Sequence, residues 1–188
     1  MAKIVFITSS WRKDSNSSCL ASHALEAAKK NGHEVITADI ARLNIGPCRA
    51  CMACQKNKSG RCLLKDDMGQ FYPLLEEADV LIFVSPVYWF NLCGQLKQFI
   101  DRCYALAGKE MPDGGICFGR KKIGLVLAHE GEDPFESGGI NAIRSVQDMC
   151  SYLGATFAGA LYGCANAEGE AANNPVLLER AAKYGAAL

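Results

Sequence analysis

The sequence has no excess of charge of either sign, with Lys and Arg numbering 20 and Asp and Glu numbering 20. A nucleic-acid binder normally shows a basic excess or a basic stripe, and neither is present. No run of about 18 apolar residues occurs, which excludes a membrane-spanning helix. The start, Met1-Ala2-Lys3-Ile4, passes into an apolar run without the apolar core and cleavage site of a signal peptide. The expectation is therefore a cytoplasmic protein with no nucleic-acid or membrane partner. The first polar loop, residues 8–18, contains no glycine. Neither a G-x-G-x-x-G dinucleotide fingerprint nor a G-x4-G-K-[ST] phosphate loop is present. Internal repeats and low-complexity tracts are absent as well.

What the sequence has in abundance is cysteine, 10 in 188 residues. A secreted disulfide scaffold would be shorter and would need staples in place of a core, whereas 49% of this chain is hydrophobic. Reduced thiols are the expectation. Cys19, Cys93, Cys103, Cys117, Cys150 and Cys164 are scattered among apolar neighbours and read as small hydrophobes. The other four form a compact run, Cys48-x2-Cys51-x2-Cys54-x7-Cys62. Thiolates at such short spacings suit a soft metal, zinc or an iron–sulfur cluster. Zinc sites usually separate two cysteine pairs by a longer loop, and two-residue spacings are those of ferredoxin-type cluster runs.

Along the chain, short apolar runs alternate with helical stripes. Strands are expected at Lys3–Thr8, Glu34–Thr37, Asp79–Val84, Lys122–Ala128 and Thr156–Tyr162, the buried parallel type with apolar residues on both faces. Helices are expected before Gly32, over Met68–Glu77, around Leu92–Leu106, over Gly138–Leu153 and over Pro175–Leu188. The chain reads as a single domain, 1–188, interrupted by a cysteine-rich excursion at about 40–67; a loop that long in a compact domain is usually functional. Five strands alternating with helices predict a doubly wound parallel α/β sheet with right-handed crossovers. Order 2-1-3-4-5, helices on both faces, places one ligand crevice near strands one and three.

Three loops fall at the ends of expected strands. The first, through Ser10, Arg12, Ser15, Asn16, Ser17 and Ser18, runs into a helix N-terminus, an arrangement that binds phosphate through free N–H groups and hydroxyls. Simple helix capping by Asp14 or Ser15 explains the same residues. The second, Ser85-Pro86-Val87-Tyr88-Trp89-Phe90-Asn91, gathers aromatics where a flat ring would find stacking partners, although aromatics there can also cover a core or a subunit contact. The third, His129-Glu130-Gly131, is a third wall for the same pocket; a loop histidine is more often solvated than functional.

These motifs carry a resemblance. Ser10-Trp11-Arg12-Lys13-Asp14-Ser15-Asn16-Ser17 is similar to the S-P-R-x-x-S/G-N-T/S phosphate loop of the flavodoxin-like, NAD(P)H-dependent FMN reductases. Ser85-Pro86-Val87-Tyr88-Trp89 resembles that family's flavin-ring loop, and Gln95–Arg102 its following helix. The cysteine run with Asp66-Asp67-Met68 resembles the compact motif of the iron–sulfur flavoprotein branch. Trp11 stands where proline is usual. The resemblance implies FMN phosphate held by Ser10, Arg12, Ser15, Asn16, Ser17 and Ser18. It implies the flavin ring against Pro86, Val87, Tyr88, Trp89 and Phe90, with His129, Glu130 and Gly131 closing the pocket. It implies a [4Fe–4S] cluster on Cys48, Cys51, Cys54 and Cys62.

The expected activity is an FMN-dependent redox protein fed by NAD(P)H or ferredoxin. Its acceptor would be a quinone, an oxygen species or another small-molecule or protein carrier. No side chain is needed as acid or base, so none is assigned a catalytic role. A cluster-free NAD(P)H-dependent FMN or quinone reductase, and a flavin electron-carrier module without turnover, are the alternatives. Family resemblance also implies a homodimer or homotetramer whose subunits complete one another's flavin pocket.

Overall fold

A computed structural model describes residues 1–188. The elements follow in the order β1 (Lys3–Thr8), α1 (Asn16–Lys30), β2 (Glu34–Asp39), α2 (Ala53–Asn57), α3 (Phe71–Glu77), β3 (Val80–Tyr88), β4 (Asn91–Leu92), α4 (Gly94–Cys103), β5 (Lys122–His129), α5 (Gly139–Leu153), β6 (Thr156–Cys164) and α6 (Pro175–Ala186). The sheet runs β2-β1-β3-β5-β6, all parallel, and β4 adds to β3 alone as an antiparallel partner. Without β4, the order is the expected 2-1-3-4-5 of a flavodoxin-like sheet. No helix is long and apolar enough to cross a membrane.

The apolar runs become central strands because each strand buries both faces. Val5 and Ile7 of β1 point into one core with α3, α4 and α5, while Ile4 and Phe6 point into the other with α1 and α6. The alternation is the period-2 pleat, and each buried Leu or Ile contributes about 1.5–3 kcal/mol. On the second face α1 and α6 cross closely. A Cβ at Gly185 would lie 1.9 Å from the Ala24 carbonyl oxygen, so only glycine permits the crossing.

The sixth strand was not expected, and neither was the length of β3. β3 runs through Ser85-Pro86-Val87 to Tyr88, a stretch that reads as loop because proline cannot donate to a ladder. Pro86 is tolerated because the β1 pairing ends at Thr8–Val84, while β5 stays in register as far as Pro86–Ala128. The chain then folds back at Trp89-Phe90 into β4, pairing Tyr88 with Asn91 and Val87 with Leu92. Both turn residues have positive φ, 48° and 65°. This is a two-residue hairpin of the primed kind, which usually carries Asn-Gly.

Candidate functional site

Where β1 stops and β3 continues, the sheet opens into a cleft of about 440 Å³. Ser10, Arg12, Ser15, Asn16 and Ser17 line one end, Pro86, Val87, Tyr88 and Trp89 a second side, and His129 and Glu130 a third. The structure thus brings together three loops that are far apart in sequence. It also adds Ala128, Ala165 and Asn166. The last two follow β6, and their only sequence signal was a polar loop at a strand end.

Hydrogen bonds shape the first loop. Ser15 caps α1, its Oγ accepting from the Ser18 N–H at 3.3 Å and lying 3.1 Å from Ser17 Oγ. The first turn of α1 holds no acidic residue, although Asp14 precedes the cap and Glu168 accepts from the Asp14 N–H at 3.1 Å. Arg12 Nη1 donates to the Asn166 carbonyl at 2.8 Å, and the Gly169 N–H donates to the Asp14 carbonyl at 2.9 Å, tying the loop to the segment after β6. Trp11, at the position where proline is usual, lies under the Arg42 guanidinium, 5.0 Å from its ring centre.

Asn16 is buried and its side chain is fully used. Nδ2 donates to Ala165 and Ala167, and Oδ1 accepts from the Ala171 N–H. Only its main-chain N–H is left for a ligand.

Three of the expected residues stand off the cleft. Ser18 faces a neighbouring hollow with Trp11, Asp39 and Arg42, because it lies a further step around α1. Phe90 is turned outward by the hairpin: its carbonyl accepts from Asn141 Nδ2 at 3.1 Å and its backbone packs on Gly138. Gly131, at positive φ, does not line the cleft. His129 is buried, not solvated. Its Nδ1 pairs with Ser137 Oγ at 2.9 Å, its ring lies 6.0 Å from that of Tyr162, and Nε2 has no partner. Beneath the cleft the Cys93 thiol donates to Ser9 Oγ at 3.1 Å, and Ser9 donates to the Val84 carbonyl, closing the base of the split between β1 and β3.

The cysteine excursion leaves the fold after β2 and returns before α3 through a narrow neck. The Asp67 N–H donates to the Asn44 carbonyl at 3.1 Å, and the Asn44 N–H to Asp67 Oδ2 at 2.7 Å. Asp66 accepts from the Gly46 and Met68 N–H groups and takes a bidentate pair from Arg102, at 2.6 and 3.0 Å. Arg102 Nη1 also donates to the Gly46 carbonyl. The Arg102 side chain is wholly buried. Burial pushes the Asp66 carboxyl up, but the Arg102 pair and the backbone donors outweigh it and hold it below the usual carboxylate range.

All ten cysteines are free thiols; Cys48 and Cys51 are exposed, Cys54 and Cys62 half-buried. Four thiolates suit a soft metal in kind, and beside them the buried Nε–H of Arg102 has no acceptor. Their placement is another matter: no three His, Cys, Asp or Glu side chains stand close enough together to hold a metal ion. Ala50, Met52 and Lys58, interleaved with the cysteines, all take left-handed φ, near 50–57°, which costs on the order of 1 kcal/mol each.

In a flavodoxin-like sheet the switch point, where this anion-suited cleft lies, is where ligands bind. Comparison with known proteins agrees. Residues 2–169 match the family of NADPH-dependent FMN reductases. An iron–sulfur flavoprotein from Methanosarcina thermophila is 34% identical over 146 residues, 78% of this chain and 71% of that protein. An iron–sulfur flavoprotein from Methanocaldococcus jannaschii is 37% identical over 128 residues, 68% of this chain but 60% of that protein, less than two thirds of its length. The crystal structure of an azoreductase from Bacillus anthracis strain Sterne superposes with a TM-score of 0.74 over 100% of both chains at 21% identity, which shows the shared fold. The chain belongs to the NADPH-dependent FMN reductase family, in its iron–sulfur flavoprotein branch, and is an FMN-dependent oxidoreductase.

Proposed function

We propose that the chain, acting as one FMN-binding unit, passes electrons from NAD(P)H or ferredoxin to a quinone, an oxygen species or another carrier. The observation that carries this reading is the cleft at the β1–β3 split, where a hydroxyl-rich helix N-terminus with Arg12 meets an aromatic strand end. Bound FMN supplies the one- and two-electron chemistry. The protein's part is to bind and orient. The main-chain N–H groups of Asn16 and Ser17, the hydroxyls of Ser10, Ser15 and Ser17, and Arg12 released from Asn166 hold the phosphate. Pro86, Val87, Tyr88 and Trp89 form one side of the ring site, and His129 and Glu130 the other. The exposed Trp89 and Phe90 turn supports pairing of subunits across this mouth, as a dimer or a tetramer. Ten unpaired thiols support a reducing, cytoplasmic setting.

The finer reading is that Cys48, Cys51, Cys54 and Cys62 take up a [4Fe–4S] cluster. The donor chemistry and the branch support it; the spread of the thiols requires the excursion to close around the metal. That same spread favours one alternative, a cluster-free NAD(P)H-dependent FMN or quinone reductase. Anaerobic purification with parallel flavin, iron and sulfide analysis separates them. About four irons per chain, lost in Cys54→Ala with FMN retained, is the expected result; FMN with no iron overturns the cluster. Bound FMN without oxidation of NADH or NADPH would instead mark a ferredoxin-fed enzyme or a carrier without turnover, and reduction by ferredoxin distinguishes these two.

A further inference from the structure

The hollow that Ser18 faces is built on the same strand ends as the cleft. It measures about 420 Å³, within the range of small-molecule sites. Phe6 and Thr8 of β1 pair with Thr37 and Asp39 of β2, and the pleat puts all four side chains on the face that α1 covers. There α1 presents Ser18, Ala21 and Ser22, small residues at the three- and four-residue spacing that shares one helix face. β2 is the edge strand, so these small side chains leave a groove between helix and sheet edge where larger ones would pack. The groove is continuous with the cleft, because Ser10 and Arg12 line both.

Arg12, Lys13 and Arg42 surround the hollow, with Asp39 its one carboxylate. None of these four takes part in an ion pair. Arg42 Nη2 donates only to the Trp11 carbonyl, at 3.5 Å. Asp39 Oδ1 accepts from the Ala41 N–H at 3.0 Å, and Oδ2 is left without a partner. The Arg42 guanidinium lies over the Trp11 indole, which stays 49% exposed. Neighbouring like charges disfavour one another, so three unpaired cations round one hollow suit an anion. Indole and guanidinium planes are surfaces on which a nucleobase stacks. A carboxylate that follows the first strand and helix of a β-α-β unit is what holds ribose hydroxyls in dinucleotide-binding sheets.

We propose that this hollow is an adenylate subsite beside the flavin cleft. Its ligand is an adenosine phosphate, with the phosphate on Lys13 and Arg12, the ribose on Asp39 Oδ2 and the base on the Trp11–Arg42 pair. Tryptophan in place of the family's proline is what supplies the stacking surface. Two dinucleotide sources carry this group. FAD carries it on the flavin phosphate, at the end of the cleft that Ser10 and Arg12 share with the hollow; NADH and NADPH carry it as the half remote from the nicotinamide. The subsite is argued from its own residues, and rests on the flavin reading only for which dinucleotide supplies the adenylate.

The test is calorimetric titration of the full-length, FMN-loaded protein with 5′-AMP, adenosine and inorganic phosphate. The expected result is one 5′-AMP per chain with FMN retained, and adenosine and phosphate each bound roughly tenfold more weakly. Arg42→Met and Trp11→Leu each weaken 5′-AMP roughly tenfold, the effect of losing one stacking surface, and leave FMN affinity unchanged. If Trp11→Leu also weakens FMN, the loop itself has moved and Arg42→Met decides. No binding of 5′-AMP, binding only as FMN leaves, or equal binding to wild type and Arg42→Met overturns the subsite. The source is then read on the same pair of proteins. FAD bound roughly tenfold more tightly than FMN by the flavin-stripped wild type, but equally by Arg42→Met, assigns the adenylate to the flavin. Equal FAD and FMN affinities, with a KM for NADH or NADPH that rises in Arg42→Met at unchanged kcat, assign it to the nicotinamide donor. Neither response overturns the dinucleotide assignment. A chain that takes up no flavin ends the reading of the cleft, and 5′-AMP titration of that chain against Arg42→Met still decides the subsite.

Discussion

The cleft at the strand ends and the cysteine excursion lie in one chain but are built on opposite principles. The cleft is made of strand ends, and the sheet's hydrogen-bond register puts those ends in place before any ligand arrives. Thr8, Val84 and Ala128 sit where they do because β1, β3 and β5 pair residue by residue. The excursion is a long loop with one short helix, and its outer cysteines have no partner to place them. A site carried by a sheet is preorganised by the fold; a site carried by a loop is organised only as far as its ties reach. Here Cys54 and Cys62 pack against the main core, while Cys48 and Cys51 are exposed.

The contrast can be broken in graded steps. The largest effect is expected at the neck. Asp66→Asn leaves the buried Arg102 without its counter-charge and should cost about 3 kcal/mol, the usual penalty for halving a buried pair, read as a fall in the denaturant midpoint. The same carboxyl sets a pH dependence. Because its folded pKa is lowered, its stabilisation is complete above the unfolded carboxylate range and is lost as pH falls through the folded value. Limited proteolysis should therefore show the excursion of the wild type opening only in acid, and that of Asp66→Asn opening alike at acid and neutral pH.

On the cleft side, Asn16→Leu strands the buried Ala165 carbonyl, the partly exposed Ala167 carbonyl and the buried Ala171 N–H. It should cost about 2–3 kcal/mol in stability, with FMN binding falling alongside; thermal melts with and without FMN check both. Arg12→Ala should leave stability almost unchanged but weaken FMN by roughly thirtyfold, the worth of one charge-assisted phosphate contact. Flavin-fluorescence titration measures it, and iron content should not move. An equal loss of iron would mean that the two sites are coupled.

The smallest effect is at the hairpin. Trp89→Asn with Phe90→Gly relieves two left-handed bulky residues and should raise stability by about 1 kcal/mol. FMN binding should weaken through loss of the Trp89 wall. A variant that is stabilised without loss of flavin affinity would show that Trp89, 93% exposed, serves the subunit surface and not the ring.

Much of the fold was readable because it depends on local pattern. Four-residue apolar runs such as Ile4-Val5-Phe6-Ile7 announce strands buried on both faces, and strand–helix alternation leaves few topologies. The hydroxyl-rich loop and the aromatic strand end could be picked out because each is contiguous. The hairpin was missed because Trp89-Phe90 is chemically wrong for its turn. Asn166 was missed because it belongs to the site only through a strand order that brings the end of β6 beside the start of α1. Asn16 was legible as a member of the loop but not as a side chain spent on residues about 150 positions away.

By itself, then, the sequence determined the alternation of strands and helices, the anion-suited loop and the supply of four closely spaced thiols, since these follow from residue type at short range. Tertiary structure alone decided that β3 outruns β1 and opens a cleft, that His129 is buried, and that Arg102 finds Asp66 across 36 positions. Those facts depend on register and long-range packing, whose energies are set by partners distant in the chain.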